Sequence, residues 1–172
     1  MQQKHDHTAS RTMSADMKSP RMMRQHYYML ALNMAINLVI MYLVMFAMIY
    51  RWGEFVQNIN FFYMALMMWA PMGALMLLFM GSMYTSRTLN IGIYAASALV
   101  FVLALLGIRT QALVGDTQFL RSMIPHHSGA LVMCREAALS DPEIEELCFG
   151  PTGIVASQER EIVLMTKLLE RR

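Results

Sequence analysis

Residues 61–80 read FFYMALMMWAPMGALMLLFM, a run of about twenty residues without a charged side chain. A helix of this length matches the hydrocarbon core of a bilayer, which is about 30 Å thick. Two further runs, 28–50 and 89–108, are also free of charge. The sequence therefore predicts an all-α protein with three membrane-spanning helices. Its predicted partners include the lipid bilayer.

Composition agrees with this class. Of the 172 residues, 56% are hydrophobic and 15% are charged, and the apolar residues fall in long runs, which is typical of a membrane protein. The net charge is only +2 and no basic patch is interleaved with aromatic residues, so no nucleic-acid partner is predicted.

The positive charges predict the topology. Five of them precede the first run, whereas Arg51 stands alone in the first loop and Arg87 in the second. The positive-inside rule then predicts a cytoplasmic tail at 1–27, a transmembrane domain at 28–109 and an exported domain at 115–172. The first run is too long for a signal-peptide core, so it is read as a retained anchor, and in a bacterial inner membrane the exported domain lies in the periplasm.

The exported segment carries soft metal ligands at high density. Residues 123–127 read MIPHH, and Met133 and Cys134 follow within the next seven positions. On a helix, His126 aligns with Met133, while Met123, His127 and Cys134 form the adjacent stripe. Thioether, thiolate and imidazole together favour copper, above all Cu(I). The alternative is a pair of ordinary histidines with methionines that fill gaps.

The same segment reads as helical. Pro125 is expected to kink or restart the first helix, Ser140 with Glu143 forms a capping box for a second, and 154–169 has the pattern of a third. A hairpin of under about 60 residues has little core of its own. It is expected to pair with another copy, as a homo-oligomer, or with the membrane domain.

These motifs resemble a known family. The stretches FLRSMIPHHSGA at 119–130, MC at 133–134, DPEI at 141–144 and SQEREIVLM at 157–165 are similar to the family named domain of unknown function 305. The resemblance covers the last third of the chain and implies a ferritin-like helical fold with an association with copper. It also implies metal-associated roles, which here fall on Met123, His126, His127, Met133 and Met165, with Glu161 and Gln158 bordering the same side.

One departure bears on that candidate site. Residues 149–153 read FGPTG, where the family runs on as one helix, and this adds about three residues. Such an insertion rotates a helical face by most of a turn, so the orientation of Met165, Glu161 and Gln158 relative to the histidines is left open. Cys134 and Cys148 admit three interpretations: a disulfide, thiolate ligation of copper, or buried free thiols.

A second group of sulfurs lies in the second run, where methionine recurs every fourth residue, at Met64, Met68, Met72, Met76 and Met80. Methionine is apolar and flexible, so plain packing is the first interpretation and a Cu(I) relay is the second.

Catalytic motifs are absent from the sequence: it has no phosphate-binding loop or His-Glu-x-x-His pair, and Ser128 has no orienting acid at a recognisable spacing. The sequence predicts a non-enzymatic protein, with copper-dependent redox activity left open. The hypothesis is a membrane-anchored protein that binds Cu(I) to sequester it or exchange it with a donor or acceptor protein. The alternatives are a copper transporter with a methionine ladder and a structural oligomeric scaffold without metal.

Overall fold

A computed structural model describes residues 20–172 of the chain. The predicted tail residues 1–19, with the basic residues among them, lie outside the described residues. The described chain contains helices and no strands, so the all-α prediction is confirmed for this part of the protein. The α-helices are α1 (Pro20–Val44), α2 (Ile59–Phe79), α3 (Arg87–Thr110), α4 (Asp116–Glu136), α5 (Pro142–Phe149) and α6 (Ile154–Glu170), with a 3₁₀ turn at Trp52–Glu54.

The first three helices are long and apolar enough to cross a bilayer. Their most apolar windows have mean hydropathies of 1.7, 1.8 and 2.5, and at most 22% of any window is buried inside the protein. Such helices present apolar side chains outward, as contact with lipid tails requires. Their backbone polar groups need no water, because they are hydrogen-bonded within each helix.

The first helix differs from the predicted span of 28–50. It begins at Pro20 and ends at Val44, so residues 45–50 leave the helix as turns. Phe46 explains this change, because it is only 4% exposed and its ring lies 4.2 Å from that of Phe55 and 4.9 Å from that of Phe61. The apolar residues at this end therefore pack against the following loop and the start of α2.

The chain divides into two compact units. Among the described residues, 20–41 and Leu66–Ala104 form the first, and Tyr42–Ala65 with Leu105–Arg172 form the second. In the first unit, Leu30, Met34 and Leu77 form a buried cluster, and Trp69 Nε1 donates a hydrogen bond of 2.6 Å to the Met34 carbonyl. That bond satisfies the indole within an otherwise apolar environment.

The second unit is built on α4 and α6, which run antiparallel. Their opposite ends are paired, with Arg172 Nη1 at 2.7 Å from the Asp116 carboxylate and Arg135 Nη2 at 3.0 Å from Glu159. Between these pairs lies the buried core of the hairpin, which comprises Leu120, Ile124, Leu131, Ile162 and Met165. The positions on α4 recur at fours and sevens, which is the spacing of one helical face.

A restart of the helix at Pro125 and a cap at Ser140 are both wrong, whereas a kink at Pro125 stays a prediction. Pro125 neither ends nor restarts a helix, because α4 continues through it from Asp116 to Glu136. Proline costs one backbone hydrogen bond there, but Pro125 is itself buried, and its packing offsets the loss. The cap of α5 is Asp141 rather than Ser140, with the Asp141 carboxylate accepting a hydrogen bond of 2.9 Å from the Glu143 amide.

Candidate metal centre

His127 lies on the inner face of α4 and uses both of its ring nitrogens. Its side chain is 9% exposed, with Nδ1 at 2.9 Å from the Met123 carbonyl and Nε2 at 2.7 Å from Glu161 Oε2. Both ring nitrogens of His127 therefore have a hydrogen-bond partner, one on α4 and one on α6. The Nδ1 bond to a backbone carbonyl fixes the ring orientation, as is usual for histidines that bind metal through the other nitrogen.

His126 has the opposite environment. It is exposed to solvent, its ring centroid lies 6.0 Å from that of His127, and it makes no hydrogen bond within residues 20–172. Successive residues of a helix point about 100° apart, which places the two imidazoles on different faces of α4. The pair is therefore divided, with one ring held in place and the other free to bind.

The three methionine side chains of the candidate site also differ in their exposure to solvent. Met133 is 62% exposed, Met123 is half-buried against the core, and Met165 is 8% exposed within that core. Met165 thus fills the interior of the hairpin, while Met133 and Met123 remain on the side of α4 that carries His126.

The FGPTG insertion at 149–153 does not separate α6 from the histidines of α4. Residues 150–153 form a turn between α5 and α6, and α6 still brings Glu161 to His127. Gln158, one turn earlier on α6, is partly buried. The inserted residues are therefore absorbed outside the helices and do not rotate α6 away from α4.

Cys134 and Cys148 form a disulfide that ties α4 to α5. A sulfur in a disulfide bears no thiolate, and thiolate is the form of cysteine that ligates metal. In this state Cys134 is not a copper ligand, which corrects its place in the candidate set.

The loop that contains Glu54 packs against α4 through a buried hydrogen bond to Ser128. The sequence did not predict this contact. Glu54 is only 6% exposed, and its carboxylate accepts hydrogen bonds from the Ser128 hydroxyl and from the Arg51 amide at 3.0 Å. The Ser128 oxygen in turn accepts from the Tyr50 amide. Ser128 thus does have an acidic partner, 74 residues away in sequence. Since Ser128 is fully buried, this bond anchors the loop and offers no accessible nucleophile.

Three further hydrogen bonds join residues 58–60, at the start of α2, to the first half of α4. The Ser122 hydroxyl lies 3.4 Å from Asn58 Oδ1, and Asn60 Nδ2 lies 3.2 Å from Ser122 Oγ. Gln118 Oε1 also accepts a hydrogen bond of 3.2 Å from the Ile59 amide. Side chains from α4 therefore satisfy backbone and amide groups of segment 42–65, and the position of α4 depends on that segment.

The methionine row of α2 meets a surface groove in the first unit. Met68, Met72 and Met76 line a groove of about 340 Å³ together with Met80, which lies one residue beyond the end of the helix. Met68 and Met80 are 45% and 40% exposed, as side chains facing lipid would be. Met64 is 43% exposed on the same helix.

The donor set fits a soft ion better than a hard one. Among residues 20–172, no three His, Cys, Asp or Glu side chains are grouped to hold a metal ion. What α4 presents outward is one free imidazole, His126, with the thioethers of Met123 and Met133 on the same side. Imidazole with thioether is a ligand combination suited to Cu(I).

Comparison with known proteins is consistent with the motifs of this segment. Residues 106–169 match the family model described as Domain of unknown function (DUF305). A protein of Acanthamoeba polyphaga mimivirus, described as uncharacterized protein L153, is 34% identical over 123 residues, which cover 70% of this chain and 76% of the viral protein. That alignment is longer than the stretch from residue 106 to the last residue, so the similarity includes part of the three apolar helices. No solved structure matches the chain. By these two matches, the chain belongs to the DUF305 family.

Proposed function

We propose that this protein is a membrane-anchored copper-binding protein that holds Cu(I) on the outer face of α4. The observation that carries the proposal is the free, exposed imidazole of His126 between two thioethers, Met123 three residues before it and Met133 seven residues after it. These spacings place all three groups on one side of a helix, and no charged residue intervenes on that side.

His127 supports the site without having to bind metal itself. Its contact with Glu161 joins α4 to α6 directly beside His126, and its bond to the Met123 carbonyl, within α4, fixes the orientation of the ring. A metal ion held between the two rings could use Nε2 of His127 only if Glu161 moved away from it. In either arrangement, His126 is the ligand exposed to incoming copper.

The cellular setting is part of the proposal. The basic residues before residue 28 favour a cytoplasmic amino terminus, and three crossings then put α4 to α6 outside, in the periplasm if the host is a bacterium. The disulfide of Cys134 and Cys148 is in keeping with an oxidising compartment. A site of this kind sequesters copper at the membrane or passes it to a partner protein.

A copper competition titration of the full chain in detergent tests the proposal. The variant with both His126→Ala and His127→Ala is expected to lose at least about tenfold in Cu(I) affinity, because it removes the imidazole donors. The matched control is His26→Ala in α1, which is expected to bind as the parent does. Unchanged affinity in the double variant would contradict the proposal.

A second candidate is a copper transporter that uses the methionine row. The groove lined by Met68, Met72, Met76 and Met80 is the observation in its favour. Copper uptake into proteoliposomes, lost when Met72 and Met76 are both replaced by leucine, would support this alternative. If the parent protein shows no copper uptake, the transporter alternative is wrong and copper binding remains the proposed function.

A further inference from the structure

The outer face of α4 has a repeat whose central and end members are exposed within residues 20–172, while Met123 and Ala130 are half-buried. Its members are spaced four, three, four and three residues apart: Phe119, Met123, His126, Ala130 and Met133. This is the spacing of the hydrophobic seam by which helices pack in a coiled coil. The adjacent seam, one residue further along the chain, has the same spacing and is buried against α6. Helix α4 therefore carries two packing seams, and within residues 20–172 only the one that faces α6 is fully buried.

Helix α6 has a matching second seam. Ser157, Glu161, Leu164 and Leu168 follow the same four, three, four spacing, beside the buried stripe of Ile162 and Met165. Leu164 is 57% exposed, Leu168 is 38% exposed, and the Glu161 side chain is 53% exposed.

The two exposed seams lie on the same side of the hairpin. Because α4 and α6 are antiparallel, a rotation toward lower residue numbers from the buried stripe leads to the same side on both helices. The opposite side of α4 is occupied by segment 42–65 through Glu54 and Asn58. One broad face of a two-helix layer therefore stays open, and it carries the proposed copper ligands.

We propose that a second copy of this chain packs its own open face against this one, and that the copper site is completed between the two copies. This inference rests on the proposed function. His126 is the central member of its seam, with Phe119 and Met133 each seven residues away. When the two open faces pack with α4 against α4 of the second copy, the two helices run antiparallel, and a two-fold axis at the level of His126 sets the two His126 rings opposite each other.

The donor count on one chain favours a shared site. His127 has both nitrogens engaged and Cys134 is in a disulfide, so each chain has one uncommitted imidazole in this segment. Two copies supply two imidazoles and, one turn along each helix, two Met123 thioethers around one axis, which is a donor set suited to a soft monovalent ion. Either copy alone leaves such an ion open to solvent.

The size of the face agrees with a second copy as its occupant. Helix α4 has 21 residues and is about 30 Å long. Two packed helices about 10 Å apart present a face of about 600 Å². Pairing two such faces buries about 1,200 Å² in total, which is the lower limit for a stable protein interface. Three apolar helices that hold both copies in one bilayer raise their effective concentration, so an interface of this size is sufficient.

Lipid is a poorer occupant of the same face. Glu161 lies within it, and an ionised carboxylate placed among acyl chains is costly without a partner. In a pair of copies, Glu161 keeps its contact with His127 and lies at the edge of the copper site.

The test uses the full chain in detergent, loaded with Cu(I), with mass measured by light scattering and copper measured per chain. The informative variant is Leu164→Glu, which puts a charge in the centre of the face. Its control is Leu147→Glu on α5, which is 59% exposed and outside the face. We expect the parent and Leu147→Glu to be dimers with one tightly bound Cu(I) per two chains, and Leu164→Glu to be a monomer with at least tenfold weaker copper binding.

A cross-linking experiment covers the case in which Leu164→Glu fails to fold. Ala130→Cys, within the seam, is expected to form a covalent dimer with a short bis-maleimide, whereas Arg121→Cys, exposed on α4 but outside the seam, is expected to stay monomeric. A parent protein that binds one tight Cu(I) per chain as a monomer overturns the inference and leaves the proposed function intact. A dimer that binds no copper overturns both. An Ala130→Cys protein that stays monomeric yet is shielded from a water-soluble maleimide in nanodiscs assigns the face to lipid and also overturns the inference.

Discussion

The inner and outer faces of α4 differ in almost every physical property, although their residues alternate along one helix. The inner face is buried, holds His127 between a carbonyl and a carboxylate, and joins Cys134 to Cys148. The outer face is exposed, uncharged and carries His126 with Met133. Adjacent histidines therefore have different tasks: His127 holds the hairpin together, and His126 is available to a ligand. The comparison implies that substitutions on the inner face change stability and that those on the outer face change binding.

The largest effect is expected from Leu131→Ala on the inner face. Leu131 is 1% exposed, and truncation of a buried leucine leaves a cavity that costs about 3 kcal/mol. Met133→Ala on the outer face is the matched control and is expected to change stability by under about 0.5 kcal/mol. Thermal unfolding of both variants in the same detergent measures the difference, and equal losses would break the distinction between the faces.

Opening the disulfide is expected to cost nearly as much. Cys134 and Cys148 close a loop with a sequence separation of 14, for which the chain-entropy argument gives about 3 kcal/mol. Cys134→Ser with Cys148→Ser should therefore lower the unfolding temperature while leaving Cu(I) affinity within about twofold, because neither sulfur is a ligand in this account. A large loss of copper affinity in the folded double variant would return Cys134 to the ligand set.

His127→Ala is expected to have an intermediate effect on stability. It removes two hydrogen bonds and the volume of a nearly buried ring, at a cost of about 2 kcal/mol. Glu161 is half-exposed and is solvated again by water, which limits the loss. His126→Ala should change stability by under about 0.5 kcal/mol. Unfolding measured by hydrogen exchange on α4 separates the two, and similar protection in both variants would contradict the division of tasks.

The smallest effect is expected at the loop that supports α4. One Glu54 oxygen accepts both the Ser128 hydroxyl and the Arg51 amide, so in Glu54→Gln the amide oxygen can keep both bonds, and its weaker acceptor strength costs about 1 kcal/mol. Glu143→Gln, exposed on α5, is the control. If unfolding midpoints in denaturant are the same for both variants, the loop does not hold α4 in place.

The sequence predicted the features that depend on local pattern. Uncharged runs predicted three long apolar helices, and those helices are present. Length and hydropathy are local properties, so the sequence alone was enough to predict them. The bend after Val44 was not predicted, because residues 45–50 are as apolar as the helix before them. Only the ring contacts of Phe46 with distant residues show why the chain turns there.

The candidate site was predicted in its residue types but not in its arrangement. The periodicity placed His126 with Met133, which are both exposed, and His127 with Cys134, which are both buried, but Met123, predicted on the second stripe, is only half-buried and lies between the two. The support from Glu54 could not be inferred, because a contact between residues 74 positions apart leaves no periodic signal. Pro125 was given too much weight, since burial of its ring within α4 is a tertiary effect that outweighs local propensity.

X-ray absorption at the copper edge of the Cu(I)-loaded full chain tests the central claim most directly, because it identifies the atoms bound to copper. The account predicts nitrogen and sulfur together in the first coordination sphere of the parent protein. It also predicts a marked loss of the nitrogen contribution in His126→Ala and its retention in His26→Ala. A coordination sphere made of sulfur alone in the parent, or one that His126→Ala leaves unchanged, would contradict the claim that the outer face of α4 holds the copper.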